Sequence, residues 1–365
     1  MKKVAIVGAS GFVGTRLVEY LVLNRIAEVV PVVRSFSSLA VLSRFELPWK
    51  VCDVQDTDAV AAAFAGCDVV IHAALGDAGQ IVKMAASVYA AAEKAGVKRL
   101  VALSSAAVHG LAPAPGTDEQ TPISDRQSMD YNNAKVRAEH ALLKARQNGR
   151  VELVMLRPSI VYGPRCRMFA GIVEKLNAGT AFLIDEGKAI CNGIYVDNLI
   201  HAIQRAIEVD AADRETFLVG DTETVTWKDL YGALADSIGV SLDSVHRVAA
   251  PQFRRSFKER VESAVSTPLA QALLPAFPGE AKRLTKVVLG ALKPMPQAGA
   301  WSLQPVPGPT VDEEMATLQQ CTWKYPNQKA AKILGFDPPI SFHEGMKRTL
   351  SWMKFVGYPT ERPAA

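Results

Sequence analysis

One tyrosine and one lysine are spaced so that they could share a proton. Tyr131 and Lys135 lie four residues apart in the segment 130–148, which we predict to be a helix ending near Gly149, and residues at i and i+4 share a helix face. A phenol has an ordinary pKa of about 10, so it acts as a base near neutrality only where a cation stabilises phenolate. With Lys135 as that cation, the pair could move a proton to or from a substrate oxygen. The alternative is two solvent-facing helix residues.

A serine at the end of the preceding strand belongs near this pair. Ser104 and Ser105 follow an apolar run, and we predict a strand at Leu100–Ser104. Because α/β sheets bind ligands at the carboxyl ends of their parallel strands, Ser105 is expected at the same edge as the tyrosine and the lysine.

A glycine-rich turn near the N-terminus has the pattern of a dinucleotide site. The apolar run Val4–Val7 predicts a buried strand and Phe12–Asn24 an amphipathic helix. Between them, glycines recur every third residue, where they allow a tight turn, close approach of a pyrophosphate and close packing of helix on sheet. The helix N-terminus then faces the pyrophosphate. The expected contacts are Gly8, Ser10, Gly11, Phe12, Val13 and Gly14.

Strands that alternate with helices predict an α/β fold with a doubly wound parallel sheet. We assign 1–165 to a Rossmann domain that binds the dinucleotide, with returns near 190–220, and 166–365 mainly to a smaller C-terminal substrate-binding and cap lobe. After Gly163 the regular alternation is no longer visible. Further predicted strands are Glu28–Val33, Val69–His72 and Val151–Leu156, and further predicted helices are Ala59–Phe64 and Gly79–Ala95. The segments that we expect to return to this lobe are Leu199–Ile207 and Thr216–Val219.

The stretch 250–310 is irregular and rich in proline. Between Arg254 and Lys293 it carries eight basic residues against three acidic ones. It is equally compatible with a cap that has a solvated basic face, with a lid over an anionic substrate, and with a surface through which 268–294 touches a membrane.

Composition excludes several classes of protein. A chain of 365 residues exceeds the size of a single core and favours two coupled lobes. The net charge of +4 is too small to indicate nucleic-acid binding. Five cysteines without a C-x-x-C pair indicate reduced thiols, the six histidines lack metal-ligand spacing, and no apolar run reaches 18 residues. We therefore expect a cytoplasmic protein with neither a metal nor a membrane span.

Several blocks together resemble the extended short-chain dehydrogenase/reductase family, of the NAD-dependent epimerase/dehydratase type. They are the glycines of 8–14, Ser-Ser-Ala-Ala-Val-His-Gly at 104–110, Tyr131–Lys135, the run 156–164, Tyr-Val-Asp at 195–197 and the endings Leu-Gly-Phe at 334–336 and Glu-Gly-Met at 344–346. The resemblance covers nearly the whole chain and is weakest at 250–310. It implies the catalytic set Ser105, Tyr131 and Lys135, a small-molecule substrate and a homodimer. It also implies cofactor contacts at Asp53, Val54, Ala73, Ala74, Tyr131, Lys135 and Pro158; for Asp53 a turn-forming role is the alternative.

The end of the second strand bears on the choice of cofactor. NAD enzymes of this fold commonly place Asp or Glu there to accept a hydrogen bond from the ribose 2′-hydroxyl. Here the residue is Arg34, which cannot accept that bond but can pair with a 2′-phosphate. NADP is therefore slightly favoured over NAD. The alternative is an arginine that caps the strand while NAD binds through other contacts.

Three departures from the family's pattern narrow the range of expected substrates and reactions. Ala106 and Ala107 stand where dehydratases carry Asp-Glu, which argues against sugar 4,6-dehydration. Cys191 stands where many nucleotide-sugar enzymes carry a phosphate-binding arginine, although Arg254 or Arg255 of the cap could substitute. Ile81 stands where an asparagine often completes a proton relay.

Three functions remain open. Family frequency favours an epimerase or reductase of a nucleotide sugar. The second is a dehydrogenase or reductase of a hydrophobic alcohol or ketone, resembling 3β-hydroxysteroid dehydrogenases and dihydroflavonol reductases. The third is a dinucleotide sensor without catalysis, which has no need of the intact Ser105, Tyr131 and Lys135.

Overall fold

A seven-stranded parallel sheet forms the centre of the chain, in a computed structural model that describes residues 1–251, 308–309 and 311–358. Its strand order is β10-β6-β5-β4-β1-β2-β3. The prediction of a doubly wound Rossmann sheet is therefore confirmed. The strands are β1 (Lys2–Val7), β2 (Ala27–Val33), β3 (Lys50–Val51), β4 (Val69–His72), β5 (Arg99–Leu103), β6 (Glu152–Pro158) and β10 (Thr216–Val219).

Helices cover both faces because side chains alternate along each buried strand. In β1, Val4 and Ile6 face one cluster, to which α1 and α6 contribute, whereas Ala5 and Val7 face the other, formed with α2, α3 and α4. Burial on both faces explains the near-continuous apolar strands. The helices are α1 (Phe12–Leu23), α2 (Thr57–Ala63), α3 (Ala78–Ala95), α4 (Asp130–Asn148) and α6 (Val196–Glu208).

Short elements beyond Pro158 build the second part of the molecule. Two parallel pairs, β7 with β9 and β8 with β11, stand apart from the main sheet. Their residue ranges are β7 (Ile160–Tyr162), β8 (Phe182–Ile184), β9 (Gly193–Tyr195) and β11 (His246–Val248). The helices here are α5 (Arg167–Asn177), α7 (Trp227–Ser237), α8 (Glu313–Leu318), α9 (Gln328–Leu334) and α10 (Phe342–Phe355).

The structure adds elements that the sequence patterns did not predict. Regular structure continues after Gly163, where α5 buries an apolar stripe and the new strands have only three residues each. One hydrophobic cluster runs from β1 to Trp227 and Met346, so the core continues through residue 165. The division there stays a prediction. The inferences about 252–307, including membrane contact through 268–294 and the roles of Arg254 and Arg255, lie outside the described residues.

Candidate active site

The turn between β1 and α1 has no room for side chains at two of its glycines. Gly8 has a φ of +86°, and a Cβ there would lie 2.7 Å from the backbone nitrogen of Ala74. A Cβ on Gly14 would collide with the carbonyl oxygen of Gly8. Both glycines are thus required by close packing of the turn against β4 and α1.

The first turn of α1 is free of acidic side chains, and its N-cap residue Gly11 supplies no side-chain hydrogen bond. Backbone N–H groups at such an end and the helix dipole favour an anion. Ser10 lies in the turn itself, and Phe12 and Val13 are half-buried at the start of the helix. These features fit the pyrophosphate of a dinucleotide.

The other predicted cofactor contacts lie at the carboxyl ends of neighbouring strands. Arg34 follows β2, is exposed and makes no ion pair with any residue that the structure describes. Ala73 donates its N–H to Val7, which brings β4 and Ala74 against the glycine turn. Pro158 ends β6.

Asp53 and Val54 come two and three residues after β3. The carboxylate of Asp53 is exposed and accepts a hydrogen bond from the N–H of Gln55 at 3.0 Å. This is the turn-forming contact that was the alternative interpretation of Asp53, and it leaves the second carboxylate oxygen toward solvent. Val54 is half-buried beside it.

Ser105, Tyr131 and Lys135 come together at this sheet edge. The hydroxyl of Ser105 accepts a hydrogen bond from the N–H of Ala107 at 3.2 Å and lies near enough to the phenol of Tyr131 to lower its pKa. The ammonium of Lys135 lies 5.9 Å from the centre of the Tyr131 ring. Tyr131 keeps 39% of its surface exposed, whereas Lys135 keeps only 7%. The phenol of Tyr131 is thus partly exposed, whereas the ammonium of Lys135 near its ring is buried.

Burial, more than charge, controls the acidity of the pair. Desolvation raises the pKa of the Tyr131 phenol, the nearby hydroxyl of Ser105 opposes this, and the charge of Glu314 raises the pKa further. Desolvation lowers the pKa of Lys135 to about 8, against the opposing attraction of Glu139. The expected lowering of the phenol pKa by Lys135 is not seen, and the ammonium donates a hydrogen bond to the carbonyl oxygen of Leu103 at 2.9 Å.

A buried ion pair supports Lys135 from below. Glu139, one turn further along α4, is 1% exposed and binds Arg157 through two hydrogen bonds of 2.9 and 2.7 Å. The hydroxyl of Ser104 donates to the same carboxylate at 2.5 Å. Sequence patterns missed Glu139, although its spacing of four residues from Lys135 places it on the reactive face of the helix.

The two asparagines between Tyr131 and Lys135 hold the loop before the helix. Asn133 accepts a hydrogen bond from the backbone N–H of Gln127 at 2.8 Å and donates to its carbonyl at 3.0 Å. Asn132 donates to the Gln127 side chain at 2.9 Å, and that side chain donates to the carbonyl of Val108 at 2.7 Å. The loop after Ser105 is thereby tied to the start of α4.

The structure also places His109 and two of the residues that depart from the family's pattern, Cys191 and Ile81. His109 accepts a hydrogen bond from Arg157 at 3.0 Å, and burial lowers its pKa to about 4, so it is neutral near neutrality. Cys191 is buried, and desolvation raises its thiol pKa to about 12. Ile81 is buried in α3. A neutral, buried thiol offers nothing to a phosphate.

A metal site and a membrane-spanning helix are both absent from the parts of the chain that the structure describes. No group of three or more His, Cys, Asp or Glu side chains there could hold a metal ion. No helix within the same ranges is both long and apolar enough to cross a bilayer.

Comparison with known proteins places this fold and site in a family. Residues 4–220 match the NAD dependent epimerase/dehydratase family. The chain belongs to that family. The predicted resemblance is confirmed, and with it an enzyme class of NAD-dependent epimerases and dehydrogenases.

Individual relatives act on two kinds of substrate. The chain is 25% identical to the 3beta-hydroxysteroid-dehydrogenase/decarboxylase isoform 1 of Arabidopsis thaliana, over 94% of this chain and 78% of that one. It is 28% identical to the UDP-glucose 4-epimerase of Vibrio cholerae, over 64% and 75%. The UDP-glucuronic acid 4-epimerase of Bacillus cereus, solved with UDP-glucuronic acid and NAD, shares the fold with a TM-score of 0.67 and 17% identity, over 97% of this chain and all of that one.

Removing the charge of Glu139 tests how much its buried ion pair with Arg157 contributes to stability. Glu139→Gln leaves the guanidinium of Arg157 without its counter-charge, so we expect a loss of roughly 3–5 kcal/mol in the free energy of unfolding. The pKa of Lys135 should also fall, since Glu139 raises it. Chemical denaturation measures the first effect. Glu208→Ala, which removes the partner of the more exposed Arg205, is the control and should cost no more than about 1 kcal/mol; equal losses would contradict the assignment.

Proposed function

We propose that this protein oxidises or reduces a secondary alcohol or ketone by hydride transfer to or from a nicotinamide dinucleotide. The observation that carries the proposal is the meeting of Ser105, Tyr131 and the buried Lys135 at the strand ends beside the glycine turn. The bound dinucleotide supplies or accepts the hydride. Membership of the family supports the same reaction class.

Each of the three side chains has a distinct task in this proposal. Ser105 and Tyr131 hydrogen-bond the substrate oxygen and so fix the reacting carbon in place. Tyr131 gives a proton to that oxygen during reduction and takes it back during oxidation. Lys135 holds the nicotinamide ribose, and its charge stabilises phenolate once the ammonium turns from Leu103 toward the site.

The glycine turn and the adjoining strand ends hold the cofactor. Gly8–Gly14 receives the pyrophosphate, while Ala73, Ala74 and Pro158 border the nicotinamide end. Arg34 would lie at the ribose of the adenosine, where its guanidinium, which has no ion-pair partner among the described residues, favours a 2′-phosphate. NADP is accordingly the preferred cofactor in the proposal, within a family described as NAD-dependent.

A hydrophobic alcohol or ketone of the hydroxysteroid type is the substrate class we favour. Cys191, buried and neutral, cannot bind a diphosphate. The negative charge of Glu314 raises the phenol pKa of Tyr131, and the same charge would repel an anionic group of a substrate bound there. Leu75, next to Ala74, leaves an apolar side chain 69% exposed at the same edge. The match to the Arabidopsis hydroxysteroid dehydrogenase also runs along nearly the whole chain.

A nucleotide sugar is the second candidate, as substrate of an epimerase or reductase rather than a 4,6-dehydratase. Fold similarity to the Bacillus cereus epimerase along 97% of the chain favours it. Family frequency favours it too, and Arg254 or Arg255 could supply the phosphate contact that Cys191 does not. A non-catalytic sensor is disfavoured because it would not require a buried lysine beneath a tyrosine.

Two further features are proposals that rest on resemblance and composition alone. They are assembly as a homodimer and residence in the cytoplasm. Size-exclusion chromatography with light scattering tests the first.

Replacing one phenol tests the chemistry. Tyr131→Phe removes the proton donor, so we expect kcat to fall by roughly 10²–10⁴-fold while the dissociation constant for the cofactor stays nearly unchanged. Steady-state kinetics and fluorescence titration measure the two. Tyr20→Phe, which removes a phenol hydroxyl from the far half of α1, should behave as wild type. Undiminished turnover by Tyr131→Phe would overturn the proposal.

The choice of cofactor follows from one arginine. Wild-type protein should bind NADPH more tightly than NADH, and Arg34→Ala should weaken NADPH binding by about tenfold or more while sparing NADH, because a charge-assisted pair is lost. Arg44→Ala, which removes an exposed arginine paired with Glu19, is the matched control. Tighter binding of NADH by the wild type would discard the preference.

The class of substrate can be tested by measuring ligand binding to a variant that has lost turnover. The Tyr131→Phe variant, loaded with cofactor, should show a higher melting temperature with a 3β-hydroxysteroid or its ketone, because ligands that bind only the folded state stabilise it. UDP-glucose and UDP-glucuronic acid should leave it unchanged. A shift with a UDP-sugar alone would instead select the second candidate.

A further inference from the structure

A small cavity with four polar side chains in a mainly apolar lining lies beside Lys135, between the sheet and helices α3 and α4. Its polar lining consists of His72, Ser104, Lys135 and Glu139, and its apolar lining includes Ile81 and Ala85. The volume open to the centre of a water molecule is about 20 Å³, and roughly 10–15 Å³ suffices for one water. The cavity is therefore large enough for a single water molecule.

One polar atom at this cavity, Nδ1 of His72, has no hydrogen-bond partner among the residues that the structure describes. His72 ends β4, beside Ala102 of β5, and is 7% exposed. Its Nδ1 is buried and makes no hydrogen bond within the described part of the chain. Burial and the charge of Lys135 lower the pKa of His72 to about 3, so the ring is neutral. A buried neutral imidazole nitrogen in this state requires a partner.

The neighbouring groups can complete the bonds of a water. An ammonium has three N–H donors, and Lys135 uses one on the carbonyl oxygen of Leu103. Ser104 and Glu139 are already joined to each other, yet their oxygens retain free lone pairs. A water here could accept from Lys135 and donate to His72 and to one of these oxygens, which gives three partners, as is usual for buried water.

We propose that one water molecule occupies this cavity and links the ammonium of Lys135 to Nδ1 of His72, which makes His72 a positioning residue for the lysine. The proton of His72 then lies on Nε2. The consequence for the reaction rests on the role of Lys135 in the proposed function; the water itself does not. The water gives the buried ammonium of Lys135 a second hydrogen-bond acceptor besides Leu103. This bond stabilises the charged form of the lysine, including when the ammonium turns toward the cofactor.

Two substitutions of His72 distinguish the effect of its hydrogen-bond acceptor from the effect of its ring. His72→Phe keeps a ring of similar size but removes the acceptor, whereas His72→Asn retains an acceptor near the position of Nδ1. The groups that face Lys135 are Tyr131 and Glu139 on α4, His72 on β4, and Arg157 on β6 through Glu139; all but His72 are unchanged in both variants.

Activity and its pH dependence give the first readout. His72→Phe should lower kcat by about tenfold and move the basic limb of the kcat profile down by about one pH unit, since a hydrogen bond to a charged group is lost. His72→Asn should lie close to wild type in both. An unshifted basic limb in His72→Phe, or equal shifts in both variants, would overturn the proposal.

Direct observation of the water gives a readout that needs no turnover. A high-resolution crystal structure of the wild type and of His72→Asn should show one density peak within hydrogen-bonding distance of both Lys135 and residue 72, and His72→Phe should lack it. An empty cavity in the wild type overturns the inference even if Tyr131→Phe has confirmed the chemistry. Should His72→Phe fail to fold, Ala85→Val fills the cavity from α3 and should shift the pH profile in the same direction; no shift would overturn the proposal.

Discussion

A lysine ammonium removed from water is the constraint on which the rest of the site depends. Lys135 is buried at the strand ends, where desolvation works against its charge. The backbone carbonyl of Leu103 and the carboxylate of Glu139 oppose that penalty. Because Tyr131, Lys135 and Glu139 follow one another at intervals of four on a single helix face, the same helix that presents the phenol to the groove also anchors the charge beneath it.

The surrounding segments are arranged around this helix face. Ser104 bonds Glu139, so the end of β5 is fixed next to α4 and Ser105 is delivered to Tyr131. Arg157 neutralises Glu139 and also bonds His109, which ties the loop after Ser105 to β6. The ion pair therefore does more than offset a buried charge. It sets the distance between the strand that carries the serine and the helix that carries the tyrosine.

Local patterns in the sequence predicted the sheet and the edge at which Ser105, Tyr131 and Lys135 lie together. They failed for features that tertiary contacts determine. Continuous apolar strands, the glycine turn and the four-residue spacing are local signals. A strand of only three residues, such as β8, is too short to show a hydrophobic period, so the sequence pattern could not predict it. The apolar stripe of α5 was missed for the same lack of a clear local pattern. The raised pKa of Tyr131 could not be predicted either, because it arises from burial and from Glu314, far away in the sequence. Glu139 was detectable from its spacing alone.

The most direct test of the central claim is a crystal structure of the protein with its dinucleotide bound. Lys135 Nζ should lie within roughly 2.6–3.2 Å of a nicotinamide ribose hydroxyl, with the phenol oxygen of Tyr131 beside the nicotinamide C4 and the pyrophosphate against the N-terminus of α1. A dinucleotide bound elsewhere, or side chains at 131 and 135 that point away from an occupied groove, would contradict it.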